Sequence, residues 1–308
     1  MDSGQKVSHP ALKAARIVLA LAILSFLFWI SYRDFKVLAR SEFSFDFTYF
    51  AGSIFFLILA LLLQVWVWKV NLKVTGGNIA FWPAFKLYYL ANLGRYIPGK
   101  IWSVMGFIHL GQRANLQAHQ TVGAMIIGLV ASLISGFLLG GIFIWLAHLP
   151  ALDIPVWLPL ALLAGGVAFM HPRLSNFVLK IVARISRREI PPYPYTFSSL
   201  LKLLGLYGII WLFYSISFAL LVMSVKQLTQ AEFIFCLGVF PVSYGLGFLA
   251  WLSPAGWGAR EGGITLLLSQ ILPTYLAVAV ALTSRVILTV CEGILFVAAW
   301  RVKWNQSK

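Results

Sequence analysis

The sequence has few charged residues and very few acidic ones. Only 11% of its 308 residues are charged, with 9 Asp and Glu against 24 Lys and Arg, whereas 60% are hydrophobic. A water-soluble domain cannot bury so large an apolar fraction, so the composition excludes a soluble enzyme and favours a membrane protein. Because each crossing needs about 20 apolar residues, the length allows roughly six to eight crossings.

Cysteine is also scarce. Cys236 and Cys291 both lie in apolar runs, and neither has the spacing to another Cys or His that a metal site needs. We therefore expect no disulfide framework, no metal and no cofactor. Intramembrane hydrolases need a Ser/His pair, paired Asp or HExxH at depth, and only Glu261 and Glu292 are acidic there, so the sequence predicts a protein that is not an enzyme.

The excess of basic residues gives a formal net charge of +15. These residues lie at the ends of apolar segments, where they anchor helices and contact anionic lipid, so we expect no nucleic-acid binding. The longest polar connection, 171–202, is strongly basic and is predicted to be cytoplasmic. Both termini are basic as well, which predicts cytoplasmic termini, an even number of crossings and a location in the cytoplasmic membrane.

Apolar runs predict the membrane-spanning helices. The first run, 17–30, resembles a signal peptide, but no cleavage pattern follows it, so we expect a retained helix. The further runs are 50–68, 121–147, 156–170, 203–224, 233–251 and 275–300. Two more regions, 81–110 and 253–272, are apolar but are interrupted by Pro, Gly and charge.

The even number of crossings follows if the segment between 50–68 and 121–147 and the segment between 203–224 and 275–300 each enter the membrane and return on the same side. The run 233–251 is then one arm of the second re-entrant pair. This predicts an all-α polytopic fold in a single domain, 1–308, with six full transmembrane helices and two re-entrant broken-helix pairs. The first half, about 16–148, starts in the cytoplasm, and the second, about 156–301, repeats the same order from outside. Such an inverted repeat is typical of secondary transporters. Eight full crossings are the alternative.

The first interruption contains Pro98 and Gly99, flanked by Arg95 and Lys100. Backbone groups cannot be left unpaired in hydrocarbon, so a break at this depth requires surrounding protein or water. Free amide groups beside two cations would suit a lipid phosphate. Snorkelling of Arg95 and Lys100 to a cytoplasmic interface is the alternative interpretation.

The second interruption, Ser253-Pro-Ala-Gly-Trp-Gly258, is followed at once by Arg260 and Glu261. A helix that starts there would direct its positive dipole end at the break, which again suits an anion. Little other positive charge is predicted outside, so Arg260 is the stronger phosphate-binding candidate. Glu261 is either a proton carrier for coupled transport or the partner of an Arg. The predicted hinges of the two breaks are Pro98, Gly99, Pro254, Gly256 and Gly258.

In the last long run, Arg285, Thr289 and Glu292 share one helix face. Charges at this depth should face the protein interior. For Arg285, a phosphate contact and an ion pair with Glu261 are both open, and Glu292 is a coupling or ion-pair candidate. Weaker candidates are His109 and Arg113, four residues apart after the first break.

The motifs Asn92-Leu-Gly-Arg-Tyr-Ile-Pro-Gly-Lys-Ile-Trp102 and Ser253-Pro-Ala-Gly-Trp-Gly-Ala-Arg-Glu-Gly262 together resemble those of the lysylphosphatidylglycerol synthase transmembrane, or flippase-like, family. The resemblance covers nearly the whole chain. Members form the membrane half of multiple peptide resistance factors, which attach lysine to phosphatidylglycerol and flip the product, or stand alone in other lipid pathways. Since only eight residues follow Trp300, we expect the aminoacyl-transferase domain to be absent.

The motifs and the resemblance predict a flippase-like protein that translocates or binds an anionic lipid, whether a phospholipid, a glycolipid or a polyisoprenyl-phosphate-linked sugar. The alternative is a non-transporting, lipid-binding accessory subunit. Such a subunit would dock a glycosyltransferase or another lipid-synthesis enzyme through the basic loop 171–202.

Overall fold

A computed structural model describes residues 45–96, 101–149, 161, 164–165, 196–249 and 258–304, the side chains of 95, 96 and 101 excepted. The α-helices in this part of the chain are α1 Phe47–Val74, α2 Phe81–Asn92, α3 Ile101–Arg113, α4 Ala118–Leu146, α5 Phe197–Met223, α6 Gln230–Leu249, α7 Ala259–Leu268 and α8 Thr274–Arg301. A 3-10 helix, Leu93–Tyr96, extends α2. The predicted all-α polytopic class is confirmed.

Several predicted features fall outside the described residues. They are the run 17–30, nearly all of the run 156–170, most of the loop 171–202, and the residues Pro98, Gly99, Lys100, Pro254 and Gly256. The predictions made for them stay predictions.

Five of the helices, α1, α4, α5, α6 and α8, are long and apolar enough to cross a membrane. Helix α1 has 28 residues and is therefore about 42 Å long, more than the roughly 30 Å of hydrocarbon in a bilayer. The outer surface of the bundle is apolar, with large exposed side chains such as Phe55, Trp66 and Ile294. The chain is an integral, multi-pass membrane protein.

Polar residues fix where the long apolar helices begin. The carboxylate of Asp46 accepts hydrogen bonds from the N–H groups of Thr48, at 2.8 Å, and Tyr49, at 3.4 Å, before the first turn of α1. The hydroxyl of Thr196 accepts one from the N–H of Ser199 at 3.2 Å before α5. Each cap satisfies donors that a helix start leaves without intrahelical partners.

The bundle has two ends, which we call end A and end B. At end A, α1 stops beside the start of α4, where the Gln120 amide donates to Gly76 O at 2.9 Å. At end B, α1 starts beside the stop of α5, where the Asp46 N–H donates to Ser224 O at 2.9 Å. Helix α1 is therefore antiparallel to both α4 and α5.

Helix α8 connects the same two ends. The Lys86 ammonium on α2 donates to Val302 O, just past the last turn of α8, which places the start of α2 at end A. At end B, Lys226 pairs with Glu232 at 2.6 Å and donates to Ile271 O at 2.8 Å, just before α8 begins. The α2–α3 segment thus starts and stops at end A, and the α6–α7 segment starts and stops at end B.

The two segments that contain the breaks differ in length. The run 233–251 is predicted to be one arm of a re-entrant pair, yet it forms α6, whose 20 residues suffice in length and composition to cross. Helix α2 has 12 residues and is about 18 Å long. The number of crossings and the re-entrant arrangement stay predictions.

Helix contacts follow the same pattern in both parts of the described chain. Helix α1 packs on α2 and α4 as α5 packs on α6 and α8, and α3 packs on α4 as α7 packs on α8. Across the two parts, α4 packs on α5 and α6 as α8 packs on α1 and α2. Exchanging α1–α4 for α5–α8 therefore leaves the set of main contacts unchanged.

Glycines bring α4 and α6 into backbone contact. A Cβ atom placed on Gly238 would lie 2.6 Å from Ile144 Cγ1 and 2.5 Å from the carbonyl oxygen of Gly140. Neither position can move without shifting a helix, so a side chain at Gly238 must separate α4 from α6.

We expect Gly238→Ala to destabilise the protein by about 1–3 kcal/mol, the range typical of overpacking. The matched control is Gly205→Ala on α5, where an added Cβ would meet nothing within 4 Å. Alanine there should be neutral or stabilise by up to about 1 kcal/mol, because it lowers the entropic cost of helix formation. Thermal unfolding in detergent measures the stability of both variants. Equal unfolding midpoints for Gly238→Ala and Gly205→Ala would contradict the close α4–α6 contact.

Candidate anion site at the start of helix α7

Helix α7 begins directly after the second break, at a glycine that the backbone requires. Gly258 has φ of 84°, in the left-handed region that favours glycine. Its N–H donates to Glu261 Oε2 at 2.7 Å. The side chain of Glu261, the third residue of α7, therefore caps the first turn of the helix. The predicted helix start after Gly258 is present.

The other carboxylate oxygen of Glu261 binds Arg285 of α8. Arg285 Nη1 lies 3.1 Å from Glu261 Oε1, and only 3% of the Glu261 side chain is exposed. Of the two interpretations left open for Arg285, the ion pair is thus found in the structure, and its contact with phosphate stays a prediction. Both oxygens of Glu261 have partners, and the pair ties α7 to α8.

Arg260, the neighbour of Glu261, is buried without a counter-ion. It is 3% exposed, and it forms no ion pair with any residue that the structure describes. Its Nη2 donates to Ser284 Oγ at a long 3.5 Å, and its Nε has no hydrogen-bond partner. A guanidinium carries five N–H donors, so the described residues leave most of the hydrogen-bonding capacity of Arg260 unused.

Aromatic rings on α6 take the place of a counter-ion. The Arg260 guanidinium lies 5.0 Å from the ring centre of Phe240 and 5.6 Å from that of Tyr244. Gly247 lies on the same face of α6, and a Cβ there would come within 2.7 Å of Arg260 Cβ. Cation–π contacts contribute about 0.5–2 kcal/mol each, less than the several kcal/mol that burial of the ion costs. The site is therefore electrostatically suited to an added anion.

A cavity adjoins the Arg260 side chain. Its empty volume is about 270 Å³, part of which is open, and it lies between α1, α5, α6 and α8. Phe240 and Ser284, the two residues against which Arg260 packs, form part of its wall. The other lining residues are Ser53, Leu57, Tyr214, Ser217, Phe218, Leu221, Ile287 and Leu288.

The remaining predicted site residues occupy different places. Glu292 is buried on α8, 8% exposed, two turns beyond Arg285. His109 and Arg113 are exposed on α3, near end A, away from the start of α7. The side chain of Arg95 lies outside the described part of the chain. Within that part, no group of three or more His, Cys, Asp and Glu residues could hold a metal ion.

Sequence reasoning missed Phe240, Tyr244 and Ser284. All three lie in apolar runs where aromatic and small residues are expected for packing alone. The available signal was the spacing of Phe240, Tyr244 and Gly247 on one face of the helix before the break. That spacing points to Arg260 only once the contact between α6 and α7 is known.

Comparison with known proteins gives one family. The sequence model described as "Lysylphosphatidylglycerol synthase TM region" matches residues 14–294, which is most of the chain. No curated protein matches the sequence of this chain.

We expect Glu261→Gln to lower the free energy of unfolding by about 3–5 kcal/mol, because it removes the buried carboxylate that pairs with the half-buried Arg285. Arg285→Gln should cost a similar amount, and the double variant should cost less than the sum of the two by about 0.5–3 kcal/mol. Denaturation of the four proteins in mixed micelles measures this coupling.

The control is Glu232→Gln, which breaks the more exposed pair with Lys226 at end B. It should cost at most about 1 kcal/mol. Additive effects of the Glu261 and Arg285 variants would show that the ion pair contributes nothing to stability.

Proposed function

The chain belongs to the lysylphosphatidylglycerol synthase TM region family, a family of membrane domains, and on this basis we propose that it translocates an anionic lipid. The lipid phosphate binds Arg260 during passage. In this proposal the chain is a transporter and not an enzyme. The argument for it rests on the residues that surround the guanidinium of Arg260.

The observation that carries the proposal is the missing counter-ion of Arg260. A buried arginine normally has a carboxylate partner. Even the half-buried Arg285 has one in Glu261. Among the residues that the structure describes, Arg260 has two aromatic rings, a long contact to Ser284 and an Nε without an acceptor. A phosphate oxygen would supply both the charge and the acceptor that this guanidinium lacks.

The distribution of charge supports an orientation with end A in the cytoplasm. The described residues at end A include no Asp or Glu, whereas Asp46 and Glu232 both lie at end B. Basic residues at end A are Lys69, Lys73, Lys86, Arg113, Lys202, Arg301 and Lys303. By the positive-inside rule, end A faces the cytoplasm, which would place the protein in the cytoplasmic membrane with its C-terminus inside.

The repeated helix contacts support an inverted repeat. The α2–α3 segment has both ends at end A and the α6–α7 segment has both at end B. In our proposal the two breaks would therefore be reached from opposite sides. A lipid head group would then pass between Arg95 and Lys100 on the cytoplasmic side and Arg260 on the other, with Pro98, Gly99, Pro254, Gly256 and Gly258 as hinges. Transporters with broken helices bind substrate at such a meeting point.

Arg260→Gln should slow lipid movement in reconstituted vesicles by about 10- to 100-fold, the equivalent of losing a charge-assisted hydrogen bond of roughly 1.5–3 kcal/mol. The assay follows phosphatidylglycerol labelled on an acyl chain, and it measures the fraction that an impermeant reductant reaches. Lys303→Gln, at an exposed cation of end A, should move lipid normally.

Two outcomes would overturn this function. Unchanged movement by a folded Arg260→Gln variant would remove Arg260 from the pathway. Binding of lipid by the unaltered protein without any movement would instead identify a lipid-binding accessory subunit, the alternative predicted from the sequence.

The orientation predicts which side an introduced thiol faces. Gln227 lies exposed at end B and Lys303 lies exposed at end A, while Cys236 and Cys291 are buried. In intact cells an impermeant maleimide should label Gln227→Cys and should label Lys303→Cys only after lysis. The unaltered protein is the control for the native thiols, and the reverse pattern would invert the orientation.

A further inference from the structure

Two aromatic rings stabilise the charge of Arg260, and their contact differs in kind from an ion pair. A carboxylate binds a guanidinium at its N–H edge and uses the donors there, as Glu261 uses Nη1 of Arg285. An aromatic ring attracts a cation through its face and offers no lone pair to those donors. Phe240 and Tyr244 therefore stabilise Arg260 without using its N–H groups, and its Nε has no acceptor among the described residues.

The ring of Phe240 is held against the guanidinium by aromatic side chains of α5. Tyr214 stacks on it, with ring centres 5.7 Å apart and an angle of 22° between the planes, and the ring centre of Phe218 lies 5.4 Å away. The Tyr214 hydroxyl in turn donates to Gln64 Oε1 of α1 at 2.9 Å. Only 4% of Phe240 is exposed, so packing in the interior fixes the ring where it faces the cation.

Tyr244 is held in a similar way. Its ring meets that of Trp211 edge to face, with ring centres 5.3 Å apart. The indole N–H of Trp211 donates to Ser132 O of α4 at 2.7 Å. Gly136 of α4 makes room for this indole, because a Cβ there would lie 2.9 Å from Trp211 Cε2. Helices α1, α4 and α5 thus support both rings, and the support does not require a ligand at Arg260.

The rings favour the ligand-free state of Arg260 over the occupied one. The negative face of a ring attracts an isolated cation, but it repels an anion that is bound to that cation, so the two effects partly cancel in the complex. A cation–π contact therefore stabilises the free guanidinium more than the occupied one. Because a ligand's affinity depends on the difference between these two states, the contact weakens anion binding.

Such weakening is useful where a ligand has to leave again. A carboxylate at Arg260 would occupy the N–H donors and exclude the anion. With no stabilising contact at all, the buried charge would depend entirely on its ligand and would release it slowly. Aromatic rings lie between these extremes, because they compensate part of the charge and leave the N–H edge available. Conduction through a site likewise requires binding weak enough for the ligand to leave.

We propose that Phe240 and Tyr244 act as an exchangeable counter-charge for Arg260. They stabilise the guanidinium while no anion is bound, and they thereby set how readily a bound anion is released. This inference rests on the proposed function, because it assumes that an anion binds Arg260.

Fluorination of the Phe240 ring tests the proposal with little change in the shape of the side chain. 3,4,5-Trifluorophenylalanine, introduced at Phe240 by nonsense suppression, withdraws electron density from the ring face and so weakens the cation–π contact. In nanodiscs of phosphatidylcholine, this variant should bind phosphatidylglycerol about 3- to 10-fold more tightly than the unaltered protein, a factor that one cation–π contact can supply. Release of the lipid should slow by a similar factor.

Thermal unfolding of the fluorinated protein gives a second readout. In nanodiscs of phosphatidylcholine alone, its unfolding midpoint should be lower than that of the unaltered protein, because the free guanidinium has lost part of its stabilisation. Addition of phosphatidylglycerol should reduce this difference.

Two controls isolate the contact between the ring and the cation. The same fluorination at Phe218, whose ring lies against Phe240 and not over the guanidinium among the described contacts, should leave the affinity unchanged. Fluorination of Phe240 in the Arg260→Gln variant should also have no effect on affinity, because no charge then faces the ring.

The sign of the change in affinity distinguishes the exchangeable counter-charge from two simpler roles. Unchanged affinity would show that the Phe240 ring only fills space, and weaker binding would show that it only positions Arg260 for the anion. Either result would overturn the inference while leaving the proposed function intact. If Arg260→Gln bound phosphatidylglycerol as tightly as the unaltered protein, the anion would bind elsewhere, and the proposed function itself would be wrong.

Discussion

The guanidinium of Arg260 has to be kept inside a protein whose surroundings are hydrocarbon, and much of the central structure serves this requirement. Gly258 allows a helix to start at the break, and Glu261 closes its first turn. Gly247 lets α6 approach closely enough for two of its aromatic rings to cover the cation. Because Glu261 pairs with Arg285, the charge of Arg260 has no carboxylate partner among the described residues. If a carboxylate of the protein also paired with Arg260, as Glu261 pairs with Arg285, the bundle would be more stable but would have no site for an anion.

The position of this cation matters because of how the helices are arranged around it. The cavity is lined by the first turns of α1 after end B and by the last turns of α5 before end B, so it lies in the half of the bundle nearer end B. Arg260 contacts two residues of the cavity wall, Phe240 and Ser284, from the start of α7. The α2–α3 segment approaches from end A instead. In the proposed orientation, with end A in the cytoplasm, this cavity would lie in the outer half of the membrane.

The sequence predicted the long helices well, because an apolar run of about 20 residues has few structural alternatives. The runs 50–68 and 275–300 lie within α1 and α8, and the motif ending at Gly258 marks the start of α7. Contacts between helices could not be predicted in the same way. Arg285 had two possible partners because spacing along one helix does not fix what lies across from it. Phe240 and Ser284 could not be recognised as contacts of Arg260 for the same reason. Whether the 233–251 run crosses the membrane or returns as one arm of a re-entrant pair stays a prediction, because its length and composition are compatible with crossing but do not establish it.

The most direct measurement observes the Nε–H group of Arg260 itself. With ¹⁵N-labelled arginine, its resonance is assigned by its loss in Arg260→Lys, and spectra are compared in nanodiscs of phosphatidylcholine with and without phosphatidylglycerol. If Arg260 is the phosphate receptor, addition of the anionic lipid shifts its Nε–H proton strongly downfield, as expected for a new charge-assisted hydrogen bond, while the resonance of Arg285 changes little. An unchanged Arg260 resonance under conditions in which the lipid binds would contradict this assignment.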